Sequence, residues 1–173
     1  MNRRFVATGL GLGLCLSVGM SGIARGDEFP PRKPGLWQVD MTMAGGQMPP
    51  QQMKLCVDAA TDAEMYKLGM SAGQGACSTP EIHRAGSVVT VNTSCKMGPS
   101  QVTTNAVTRF TGDTAYHTDV NAKFDPPMGG MSQSGMTQDA KWSGPCPAGM
   151  QPGDVLMGNG MKMNFRQMLG GKQ

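Results

Sequence analysis

Residues 116–124 alternate without a break. Tyr116, Thr118, Val120, Ala122 and Phe124 fall on one side, and His117, Asp119, Asn121 and Lys123 on the other. A period of two fits a strand with one face in a core and the other in water; a helix would scatter the same residues around its circumference. The pattern recurs along the chain. Trp37, Val39, Met41 and Met43 alternate with Gln38, Asp40 and Thr42, and Met53, Leu55 and Val57 share one side of 52–57. Val89 and Val91 share a face with Thr93 and Cys95. Residues 102–110 and 115–124 read as a hairpin around Thr111-Gly112-Asp113. A connection over 111–115 sets Phe110 opposite Tyr116, so both apolar sets keep to one face, as strand register demands. Residues 78–84 and 87–95 read as another hairpin around Ala85-Gly86. Met136, Ala140 and Trp142 mark a last strand, after a Pro/Gly/Met-rich loop over 125–135.

One stretch changes period. Over 58–69, Thr61 stands as a cap with Glu64 three residues later, Gly69 can terminate, and Met65 and Leu68 share a face. That spacing predicts a short helix. Six to seven short strands and one helix predict a mainly all-β fold. It is an antiparallel meander, built as a twisted and curved sheet or partial barrel.

The ends differ from this middle. Met1-Asn2-Arg3-Arg4 is basic, the run from Phe5 to Met20 carries no charge, and small residues precede Asp27-Glu28. That order predicts a signal peptide over 1–26, cut after Gly26 with Ala24 at the −3 position, or alternatively after Ala24. Leu14 before Cys15 is too large for a lipoprotein cysteine site. No apolar run approaches the roughly 18 residues of a membrane-spanning helix. Residues 27–34 hold three prolines and read as an extended leader, 35–146 as the β domain, and 147–173 as a Gly/Met-rich tail. In the tail, Met161, Phe165, Met168 and Leu169 have the spacing of a short amphipathic helix; a mobile tail is the other reading.

Export changes the charge balance. Fifteen basic residues face twelve acidic ones, but Arg3, Arg4 and Arg25 leave with the signal. The remaining chain is neutral overall, which gives no reason to expect nucleic acid or an anionic surface as partner.

Four cysteines remain beyond the signal: Cys56, Cys77, Cys95 and Cys146. An even number in an oxidising compartment predicts two disulfides, with three connectivities open. In a hairpin centred on Gly86, Cys77 and Cys95 are equidistant from the turn and lie opposite each other. Opposed residues meet the Cα separation of about 4.4–6.8 Å that a disulfide needs. Cys56 is then left for Cys146. The same register sets Ile82 against Thr90, off the valine face, a conflict that a bulge would repair.

Several of these residues resemble a bacterial family of small exported proteins, the domain-of-unknown-function family 3617. They are Pro34-Gly35-Leu36-Trp37-Gln38-Val39, Lys54-Leu55-Cys56-Val57, the Cys77 to Cys95 hairpin, Phe110-Thr111-Gly112-Asp113-Thr114, and Lys141-Trp142-Ser143-Gly144-Pro145-Cys146. The resemblance spans 34–146, and the tail from Pro147 departs from it. It implies a secreted or periplasmic location and no established activity.

The residues themselves supply no catalytic constellation. His83 and His117 are the two histidines, and neither sits in a Ser/His/acid, H-E-x-x-H or paired-carboxylate pattern. Asn92-Thr93-Ser94 is a formal glycosylation sequon inside a predicted strand, behind a bacterial-type signal. The chain therefore reads as non-enzymatic and cofactor-free. Its apolar face, carried by Trp37, Val39, Met41, Val89, Val91, Phe124 and Trp142, is the candidate surface for an apolar ligand or an envelope partner. The alternative class is soft-metal binding. The chain has 17 methionines, and thioether sulfur suits Cu(I). Met128, Met131, Met136, Met161 and Met163 are the candidates, although methionine also serves as a core filler.

Signal grammar makes a direct prediction. Protein from its native host should begin near Asp27 by N-terminal sequencing, and an intact Met1 or a lipid on Cys15 would contradict it.

Overall fold

A computed structural model describes residues 29–45, 48–71 and 75–170; the signal-peptide reading falls on residues outside this set. The elements in order are β1 (Gly35–Met43), β2 (Gln51–Val57), α1 (Ala59–Ser71), β3 (Glu81–Ala85), β4 (Val88–Met97) and β5 (Ser100–Thr111). They continue with β6 (Ala115–Met128), β7 (Met131–Gly144), β8 (Asp154–Met157), β9 (Lys162–Asn164) and α2 (Phe165–Gly170). All nine strands form one open antiparallel sheet, ordered β3-β4-β5-β6-β7-β1-β2-β8-β9. The run from β3 to β7 is a meander. β1 then lies beside β7, so the first strand of the chain sits inside the sheet.

The strand count exceeds the expected six to seven because the tail adds β8 and β9, and two of the expected strands also run longer than expected. Residues 125–135 are not a loop: β6 and β7 continue through them and turn at Gly129-Gly130. The ladder breaks between Lys123 and Met128, where Pro126 and Pro127 have no N–H to donate. The tail is not separate either. It adds β8 to the outer edge of β2 and β9 to β8, and then forms the six-residue α2.

The β3–β4 hairpin resolves the expected register conflict. Ile82 faces Val91 and Arg84 faces Val89, whereas Cys77 faces Cys95. Three residues, 78–80, therefore stand against two, 93–94, and the extra one restores the valine face. Ser78 N–H still reaches Ser94 O at 2.7 Å, and Lys96 N–H reaches Ala76 O at 2.7 Å. At the other hairpin, Phe110 faces Tyr116 as its loop length requires.

The cap of α1 is Asp58, not Thr61. Asp58 Oδ1 accepts from Thr61 N–H at 2.7 Å, and Thr61 Oγ1 accepts from Asp58 N–H at 2.8 Å. This is a reciprocal box with Thr61 in the third helical position. Gly69 does not end the helix, which runs on to Ser71.

The core lies where β7, β1 and β2 meet. Trp37, Val39, Leu55, Val57 and Ala140 are its buried cluster, with Met41, Met53, Met65, Tyr116, Trp142 and Val155 packed around it. Residues 29–34 cross this end of the sheet as a strap. Arg32 is buried and paired with buried Asp62 of α1 through Nε at 2.6 Å. Its guanidinium stands 5.8, 5.4 and 5.9 Å from the ring centres of Trp37, Tyr66 and Tyr116. Phe29 stacks on Tyr66 at 4.8 Å. The strap carbonyls accept from the indoles, Lys33 O from Trp37 at 2.9 Å and Pro34 O from Trp142 at 3.0 Å. Gly35 follows with a φ of +136°, and a Cβ there would collide with Gly144 O and Trp142 Nε1. This is the close approach that leaves room for no other residue.

The two tryptophans share a face but not an environment. Trp37 is 1% exposed, whereas Trp142 is only partly buried and lies under Lys33 Nζ at 3.9 Å. In denaturant melts Trp37→Ala should cost about 3–5 kcal/mol, as large core truncations do. Trp142→Ala should cost clearly less; equal losses would contradict this packing.

Candidate functional site

Register shows how the apolar face is laid out. The innermost row joins Trp142, Trp37, Leu55 and Val155, and the next joins Phe110, Tyr116, Ala140, Val39 and Met53. Both lie in the core, toward the strap and α1. A third row runs from Val89 through Thr108, Thr118 and Gln138 to Met41. Thr108 and Thr118 share a buried hydroxyl hydrogen bond of 2.9 Å, which satisfies both groups away from water.

Beyond that row the face stays apolar but its cover ends. Val91, Ala106, Val120, Met136 and Met43 form one cross-strand row over β4, β5, β6, β7 and β1. All five are half-buried. The next row is Thr93, Thr104, Ala122 and Ser134, and Val102 with Phe124 closes the end. Among the described elements, α1 packs on β2 and α2 on β9, and neither packs on β4 or β5. Five strands span four steps of about 4.8 Å, so the open strip is roughly 19 Å across. The seven candidate residues therefore share one face in two settings. Trp37, Val39, Met41 and Trp142 belong to the covered end, Val89 is buried at the boundary, and Val91 and Phe124 belong to the open end.

The opposite face is polar and carries its own network. Arg109 Nη1 pairs with Asp119 at 2.6 Å, and His117 lies between Asp139 at 2.8 Å and Asp119 at 3.2 Å. The hydrogen bond to Asp139, then that to Asp119, raises the His117 pKa above its ordinary value. The carboxylates sit on opposite ring nitrogens, so they bracket the ring rather than converge on one ion. Among the described residues no group of three or more His, Cys, Asp or Glu is placed to hold a metal. His83 is exposed on edge strand β3.

The disulfides join Cys56 to Cys146 and Cys77 to Cys95. The first ties the end of β2 to the residues that follow β7, across β1. The second links the start of the β3 segment to β4, beside the open strip.

The five candidate methionines are not brought together. Met128 faces Met131 across the β6–β7 hairpin, and Met136 faces Met43. Met161 lies in the β8–β9 turn and Met163 faces Val155, several strands away. Met43, Met48 and Met131 instead line one surface cavity of about 820 Å³ at the β6–β7 hairpin end. Met43 shares with Met41 the spacing of a soft-metal pair, and strand pairing sets it beside Met136 of β7; Met48 carries no spacing signal.

The family model described as protein of unknown function (DUF3617) matches residues 32–146. No curated protein and no solved structure matches the chain. The chain belongs to that family.

Two predictions come from these contacts. By the chain-entropy argument the Cys56–Cys146 bridge, at a separation of 90, should stabilise by about 4–5 kcal/mol, against about 3 kcal/mol for Cys77–Cys95 at 18. Denaturant melts of the two Cys-to-Ser pairs give the order, and a larger loss from the short loop would contradict it. For His117, a raised folded-state pKa means its stabilisation is complete below about pH 6.5 and is lost as pH rises through the folded value. An NMR titration should show that value fall in Asp139→Asn; an unchanged titration would contradict the pairing.

Proposed function

We propose that this member of the DUF3617 family is an exported, non-enzymatic binding domain of the bacterial envelope that holds an apolar ligand, such as an acyl chain, on the open end of its sheet. One observation carries the reading. The row Val91–Ala106–Val120–Met136–Met43 continues the apolar face past the strap and α1, and no described helix packs on β4 or β5 to cover it. A half-buried apolar strip of this width is a natural ligand surface.

Export is supported by the two disulfides, which persist in oxidising compartments. No described helix is long and apolar enough to cross a membrane. The non-enzymatic reading is supported by the setting of His117, whose two ring nitrogens are each engaged by a carboxylate, of Asp119 and of Asp139.

The test is a titration of oxidised protein with a fluorescent fatty acid. Saturable binding is expected, and Val120→Glu, a charge in the middle of the strip, should abolish it while the thermal melt stays cooperative. Absence of saturable binding by the parent protein, or undiminished binding by the folded variant, would refute the reading.

A further inference from the structure

Hydroxyl groups flank the open apolar strip on both sides. On its inner side those of Thr108 and Thr118 are bonded to each other at 2.9 Å. On its outer side Thr93, Thr104 and Ser134 stand in one cross-strand row over β4, β5 and β7, with Ala122 of β6 between the last two. All three are half-buried, and none shares a side-chain hydrogen bond with another described residue. Each hydroxyl offers one donor and two acceptor sites. Threonine is common in strands for its shape alone, so the row gains its meaning from the charges around it.

Charge is sorted between the two faces of the sheet. Asp40 of β1, Arg109 of β5, Asp119 and Lys123 of β6 and Asp139 of β7 all belong to the opposite face. The row from Val91 to Met43 holds no charged residue, and neither does the hydroxyl row beside it. On the apolar side, Arg84 of edge strand β3 faces Val89, one row inward of the strip. Its Nε donates to Gly86 O at 3.2 Å, toward the β3–β4 turn. An anionic head group laid on the strip would lose water and gain no cation, which costs far more than burying an uncharged polar group. An alcohol or ester loses less, and it can replace its water bonds with bonds to the hydroxyl row.

We propose that the open strip selects a neutral lipid, whose acyl chain lies along the row from Val91 to Met43 and whose uncharged ester or hydroxyl end hydrogen-bonds to Thr93, Thr104 and Ser134. This rests on the apolar-ligand reading and adds the class of the polar end. A glycerol ester or long-chain alcohol is held at both parts, whereas a free fatty acid is held through its chain alone.

Oxidised protein loaded with the fluorescent fatty acid is titrated at neutral pH with monodecanoylglycerol and, in parallel, with decanoate. The two share one chain and differ only at the polar end. The glycerol ester should displace the probe at about one tenth of the decanoate concentration, the effect of about one or two hydrogen bonds. Thr93→Val/Thr104→Val keeps the branched shape and the strand propensity. It should weaken the glycerol ester about tenfold and close the gap. Its thermal melt and its affinities for the probe and for decanoate should match the parent. The single variant Thr104→Val should fall between, which guards against a folding failure in the double. Equal displacement by the two ligands, or an undiminished preference in the folded double variant, would overturn the proposal. A preference for decanoate would also overturn it, and loss of that preference in Arg84→Gln would trace it to the edge arginine. In each of these outcomes the probe still binds and the apolar-ligand reading stands. Failure of the parent protein to bind the probe removes both.

Discussion

A buried arginine organises this protein. Arg32 is 7% exposed and its partner Asp62 3%. Two charges so far from water are tolerable only when each is matched. Here the carboxylate accepts from both the Arg32 backbone and side chain, at 3.0 and 2.6 Å, and three aromatic rings surround the guanidinium. The arrangement fixes several elements at once. Asp62 comes from the first turn of α1, Tyr66 from the turn that follows, Trp37 from β1 and Tyr116 from β6. The strap, the helix and the two strands therefore share one anchor. Burial in turn pushes both tyrosine hydroxyls above their ordinary pKa, so the cage stays neutral around its single cation.

The anchor closes one end of the apolar face and leaves the other. The strap and α1 lie over the rows of Trp37 and Tyr116, and the Thr108–Thr118 hydrogen bond marks where the dry core stops. Past it lies one apolar, half-buried row from Val91 to Met43, and then a row of Thr93, Thr104, Ala122 and Ser134. The sheet does not close on itself, and its edges are guarded by other means. β9 is three residues long, and β3 is five residues long with Glu81, His83 and Arg84 among them. Short, charged edges resist pairing with a further strand. The Cys56–Cys146 bridge spans β1 from the two strands that flank it, which holds together the part of the sheet with the longest sequence separations.

Much of this was legible where periodicity runs long. The alternation over 116–124 and around Trp37 placed strands and faces correctly, because a side-chain period of two admits one register once a face is buried. Hairpin symmetry paired the cysteines, and the Ile82 conflict pointed to the extra residue that the structure places at 78–80. Legibility failed where elements are short or their breakers are tolerated. Pro126 and Pro127 suggested a loop, yet they sit in a ladder irregularity within a strand. β8 and β9 have four and three residues, too few for a pattern to show. Asp58 was passed over as the cap because Thr61 with Glu64 had the usual spacing; Glu64 instead pairs with Arg166 of α2 at 2.7 Å. Arg32 gave no local signal at all, since its partners lie 5, 30, 34 and 84 residues away and meet only in the folded sheet. The open end of the face was invisible for the same reason: its residues alternate like core residues, and only the placement of the helix shows what remains uncovered.

The most direct measurement of this account is a double-mutant cycle on the central pair, read by urea denaturation. Arg32→Met and Asp62→Leu should each cost about 3–5 kcal/mol, because each leaves its partner charged and buried. The double variant should recover most of that loss, since both charges are then gone and apolar groups of similar size remain. Single losses below about 1 kcal/mol that simply add would mark the pair as a surface-like contact, and would contradict the claim that Arg32 anchors the closed end of the sheet.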